Sequence, residues 1–169
     1  MADAAVNPFW RFSLMLYGRD GVAPACLRLQ DRHGLDVNII LYCCWAAGQG
    51  VALEAAAITA ITDGTKAWRR EVIRPLRAVR RALRGGIAPV AAPAGDALRK
   101  DVQRLELDSE RLLQDAMWQT FPIPAPVGGR DIGGLAQANL ECYARVSNVA
   151  SAGADLGIVA GALSGVSPS

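Results

Sequence analysis

A chain of 169 residues, 51% hydrophobic and 20% charged, is long enough to bury a core of its own and too apolar to be disordered. One histidine and four cysteines with no C-x-x-C pair leave no usual zinc spacing, and no run approaches the ~20 clean apolar residues of a membrane span. The net charge of +2 excludes a chain that is basic throughout.

Asn7-Pro8 reads as an N-cap followed by proline at the first helical position, and Phe9, Phe12, Ser13 and Leu16 continue at helical spacing to Gly18. A turn at "RDGVAP" starts a second helix, with Pro24 in its first turn, that ends at His33-Gly34. Gly34 suits the left-handed position past a helix end, and His33 stands in the last turn, where a ring N–H can meet free carbonyls. Asp36 is then the N-cap of a third helix over 37–47, with Leu35 and Ile40 at hydrophobic-staple spacing. That helix is apolar nearly all round and is expected at the centre of the fold, with Asn38 as the interior polar group that needs a partner. Cys43 and Cys44 on it read as small buried hydrophobes, and Trp10, Trp45, Trp68 and Trp118 as core anchors.

"VALEAAAITAIT" predicts a fourth helix, broken or bent at Asp63-Gly64, with Thr65 able to cap a restart. Beyond it, Trp68, Val72, Leu76, Val79 and Leu83 form a stripe about 80° wide, and Pro75 predicts a kink or a second start. "GGIAPVAAPAG" is a small-residue linker, followed by a long helix over 96–120 whose apolar face is read as Leu98, Val102, Leu105, Leu112 and Phe121. "PIPAPVGG" is a second linker, 135–149 a further helix, and the remainder a short helix with a frayed tail. The fold class is all-α: a single-domain helical bundle or orthogonal array of about six helices. Its expected units are a core over 7–121 and a linker with C-terminal helices over 122–169, packed on the core or partly mobile.

Charge is distributed unevenly. Residues 66–84 hold eight basic side chains against one acid, +7, which leaves −5 for the rest of a chain whose total is +2. Arg70, Arg74, Arg77, Arg80, Arg81 and Arg84 lie opposite the apolar stripe and are the candidate partner-binding face. The bland account is pairing with acids of the 96–115 segment; the functional one is an anionic surface, because guanidinium forks match carboxylate and phosphate alike. The second candidate is the corner Asp31, Arg32, His33, Asp36 and Asn38, where two carboxylates could converge on an ion or diphosphate. None of the P-loop, dinucleotide, nucleophile-elbow or H-E-x-x-H motifs occurs, so no catalytic residue, metal or cofactor is expected.

"FWRFSLMLY", "LQDRHGLDVNIILYCCWAAGQG" and "WRREVIRPLRAVRRALR", in this order, resemble the hallmark segments of a small proteobacterial family of conserved proteins of unknown function. The resemblance covers about residues 8–84 and, more loosely, 96–121, and it implies a bacterial cytoplasmic protein without a known activity. Free thiols and a start without secretory-signal order agree with a cytoplasmic location. The leading expectation is a helical interaction or adaptor protein whose arginine face binds an acidic protein partner. One alternative is a helical enzyme or ligand binder using the acidic corner; another is sequence-independent nucleic-acid binding through the arginines. The sequence is compatible with a homo-oligomer.

Overall fold

The computed structural model describes residues 7–123 and 131–164. Most of the second linker and the end of the tail lie outside these residues. The described chain is all helix apart from turns and one isolated bridge between Ile87 and Val90. Its elements are α1 (Pro8–Tyr17), α2 (Val22–His33), α3 (Val37–Gly48), α4 (Ala55–Trp68), α5 (Arg74–Leu83), α6 (Ala92–Thr120), α7 (Ile132–Val146) and α8 (Gly153–Gly161).

The local signals at the first helices are realised. The Asn7 side chain accepts hydrogen bonds from the Phe9 and Trp10 amides and also donates to Asp115 on α6. Gly34 adopts φ 69°, and the Gly34 and Leu35 amides close α2 on the Gln30 and Leu29 carbonyls. Asp36 caps α3 through the Asn38 amide at 3.0 Å. Leu35 and Ile40 are both in the core, and α3 is buried along its length except at Val37 and Trp45.

Around α3 pack α1, α2, α6 and α7, and α8 closes over α2 and α7. Arg28 of α2 pairs with Asp155 of α8 at 2.6 Å. Residues of α7 and α8 belong to the same core as those of the first helices. The loop after α3 is held by one buried side chain. Asn139 of α7 donates to the Cys43 and Val51 carbonyls and accepts from the Leu53 amide.

Several expectations differ from the structure. The α4 helix runs straight through Asp63-Gly64, and Thr65 back-bonds to the Ile61 carbonyl instead of capping a restart. Gly64 serves close approach: a Cβ there would lie 2.8 Å from the Phe121 ring. At Pro75 the expected second start is present: α4 passes through a π-helical turn, Arg69–Ile73, which widens the ladder, and α5 continues the rod from Arg74 with the proline in its first turn. The α6 helix begins at Ala92, with Pro93 in its first turn, so it takes up part of the expected linker.

The inward face of α6 is also rotated from the expected one. Leu98, Leu105 and Leu112 are exposed, while Val102, Glu106, Ser109, Leu113, Gln114 and Met117 are buried. Likewise Trp68 and Val79 of the rod's apolar stripe are exposed, and Arg69 and Ile73 turn inward. Of the four tryptophans Trp45 packs on the core, half-buried against Phe9 and Phe12, whereas Trp10 is half-buried and Trp68 and Trp118 are exposed.

Candidate functional site

The arginines of the rod face several directions. Arg69 is buried and donates to the Thr65 hydroxyl and the Thr62 carbonyl, with Asp36 at 3.8 Å. Arg70 reaches only its neighbour Glu71, at 2.6 Å, in solvent. Arg77 and Arg80 turn onto α6. Arg77 bonds Glu106 at 2.8 Å and Glu110 at 2.9 Å and also donates to the Gln30 amide, while Arg80 bonds Glu106 at 2.5 Å. Arg81 meets Asp31 at 2.8 Å. Arg74 and Arg84 are exposed and form no ion pair among the described residues.

The corner residues go to different partners. Asp31 belongs to Arg81, whose hydrogen bond holds its carboxyl below the usual carboxylate range. Asp36 caps α3, lies beside Arg69, and its amide donates to the Tyr143 hydroxyl at 2.9 Å. Asn38 accepts from the Gln114 carboxamide of α6 at 2.9 Å. Arg32 is exposed and His33 half-buried, and no hydrogen bond among the described residues involves the His33 ring. The described residues hold no cluster of three metal-ligating side chains.

The members of both sets that do come together meet around a cleft of about 680 Å³ between α1, α2, α3, α5 and α6. This lies within the range of small-molecule sites, roughly 300–1,000 Å³. Each helix contributes a strip at three- and four-residue spacing: Trp10, Ser13, Leu14 and Tyr17 from α1, and Gln103, Leu107, Glu110 and Gln114 from α6. Ser13, Asn38 and Gln114 are buried at the inner end, whereas Leu14, Leu27 and Leu107 stay about half exposed at the rim.

The electrostatics inside are asymmetric. Burial pushes the Glu106 carboxyl up, but the hydrogen bonds and charges of Arg80 and Arg77 outweigh it and hold the group below its ordinary value. Glu110, one turn further along, goes the other way: burial pushes it up to about 7, opposed by Arg77 and reinforced by the negative charges of Glu106 and Asp36. The difference is one of shares. Glu106 has two guanidinium partners, and Glu110 has part of one that also serves Glu106 and Gln30. Burial likewise raises the Tyr17 hydroxyl. By contrast, all four cysteines are buried and none lines the cleft, and burial pushes the Cys26 thiol up to about 12.

Two buried polar atoms have no hydrogen-bond partner among the described residues, Ser13 Oγ and Gln114 Oε1, and both residues line the cleft. Turning the Asn38 and Gln114 carboxamides over together keeps their mutual bond and exposes an N–H in place of the carbonyl. Either way one polar atom of Gln114 is left over.

Glu106, Glu110, Gln114, Ser13 and Tyr17 are not among the sequence candidates. Of these, Glu106 alone has a signal, the α6 series Val102, Glu106, Ser109, Leu113 and Met117, one face at helical spacing that carries a carboxylate and a hydroxyl in its middle. A count of apolar residues alone passes over it.

A family model described as protein of unknown function (DUF2390) matches residues 8–117, the stretch from α1 to the last turn of α6 that builds the cleft. No curated protein and no solved structure matches the chain.

Proposed function

The chain belongs to the DUF2390 family of proteins of unknown function, and from that premise we propose that it binds a small molecule in the cleft between α1, α2, α3, α5 and α6. This is the ligand-binder reading with its site moved from the 31–36 corner to the space that Asn38 and the inward arginines border. The observation that carries it is a pair of unpartnered buried atoms, Ser13 Oγ on α1 and Gln114 Oε1 on α6, in two residues that line the cleft. A buried polar group without a partner costs about 1–3 kcal/mol, so two in one cleft are a standing cost that a ligand would relieve.

Ligand-observed NMR of a fragment mixture tests the reading against Leu14→Trp and Leu107→Trp. Both fill the cleft from half-exposed positions and leave the core untouched. Fragments that bind the wild type should be lost from both variants. No bound fragment, or equal binding to all three proteins, overturns it.

A second reading rests on Arg74 and Arg84, which stay exposed without an ion pair among the described residues, as the remaining outward face for an acidic protein partner. Arg74→Glu with Arg84→Glu should then abolish capture of one defined partner while the melting temperature holds. Capture unchanged by the double reversal counts against it.

A further inference from the structure

The cleft has a direction. Along α6 the lining residues Lys100, Gln103, Leu107, Glu110 and Gln114 follow one face, and over these fourteen steps the helix rises about 21 Å. Their exposure falls along it: Lys100, Gln103 and Leu107 are exposed, Glu110 is half-buried and Gln114 is buried. The strip therefore descends from the surface into the core.

The two ends offer different chemistry. At the outer end stand Lys100, Arg104 and Arg81. Lys100 has no ion pair among the described residues. Arg104 touches Asp101 and Asp108 only at 3.7 Å, in solvent, and neither aspartate lines the cleft. Arg81 shares the exposed Asp31. Exposed pairs of this kind are weak and exchange readily, so the mouth carries available positive charge. The two acids lining the cleft, Glu106 and Glu110, sit deeper and are engaged by Arg77 and Arg80. Between the ends, Leu14, Leu27 and Leu107 keep about half their surface in water at the cleft edge. At the inner end wait the neutral polar atoms of Ser13 and Gln114.

We propose that the cleft takes an amphipathic organic anion with a polar far end. Its acid group meets Lys100, Arg104 and Arg81, its hydrocarbon body covers Leu14, Leu27 and Leu107, and a terminal hydroxyl or amide reaches Ser13 and Gln114. This rests on the cleft being a binding site and adds the class and orientation of the ligand. A simple cation is disfavoured at the mouth by like charge, and a plain hydrocarbon end leaves the inner polar atoms unpaired.

The test is calorimetric titration of the full chain with three probes of similar length: ω-hydroxydodecanoate, dodecanoate and dodecylammonium. The hydroxy acid should bind about tenfold more tightly than dodecanoate, a step of one hydrogen-bonded end group, and dodecylammonium should bind least. Lys100→Glu with Arg104→Glu, both exposed, should erase the preference for acid over ammonium. Ser13→Ala, which removes an unpartnered hydroxyl, should shrink the preference for the hydroxy acid, read as the ratio of its affinity to that of dodecanoate in the same variant. Dodecylammonium binding as tightly as dodecanoate overturns the ligand class, as does an acid affinity indifferent to the double reversal. If none of the three probes binds while fragments sensitive to Leu107→Trp do, the class falls and the cleft reading stands. If neither probes nor fragments bind, both fall.

Discussion

Glu110→Gln isolates the electrostatics of the cleft. In the folded chain the Glu110 carboxyl titrates near 7 because burial outweighs its share of Arg77, against an ordinary 4.5. That interval corresponds to about 3 kcal/mol between the two protonation states. The sign follows from proton uptake. Between these values the folded chain holds the proton more tightly than the unfolded chain, so stability is greatest below 4.5 and falls as the pH rises towards 7. Glu106, held low by its arginines, acts in the opposite sense, but its folded midpoint lies below 4.5 and its unfolded midpoint at 4.5, so most of its effect falls below this window. From pH 5 to pH 8 the Glu110 contribution to stability should drop by about 2.5 kcal/mol, roughly 5–10 °C in melting temperature for a chain of this size. Glutamine keeps the shape and the acceptor oxygen for Arg77 but has no proton to lose. Thermal melts of both proteins across pH 5–8 should therefore diverge: the wild type falls and the variant stays nearly level once the shared background is subtracted. Parallel profiles would show that Arg77 holds Glu110 ionised throughout, and the reasoning from burial would be refuted.

Ser13→Ala should leave stability unchanged or raise it by about 1 kcal/mol in denaturant unfolding, because it removes a buried hydroxyl that has no partner; a clear loss would mean that the hydroxyl is bonded in solution. Asn139→Leu should cost about 3 kcal/mol by the same assay, since it strands the Cys43 and Val51 carbonyls and the Leu53 amide. Asp36→Ala should cost about 1 kcal/mol for the lost cap of α3, and an unchanged melting curve would contradict that role. Gly64→Ala should destabilise despite the helix preference for alanine, because the new Cβ meets the Phe121 ring at 2.8 Å. In a Phe121→Ala background the same change should instead stabilise by up to about 1 kcal/mol, and a cycle without this reversal would exclude the clash.

The residues alone determined whatever depends on near neighbours. Asn7-Pro8 starts α1, Gly34 ends α2 and Asp36 starts α3, because a cap is settled by groups within a few residues of it. A helix as apolar as Val37–Gly48 has its stable place where neighbouring helices cover every face, so its central position was legible as well. Only the tertiary structure decided which faces of α6 and of the α4–α5 rod turn inward. Glu106 is buried because Arg77 and Arg80 reach it across the hairpin, and Asn38 is satisfied by Gln114, seventy-six residues away. A buried charge or amide is tolerable only with a partner already in place, and periodicity cannot register a partner that distant. The cleft, made of such pairs and of the two atoms left without one, exists only once five helices have met.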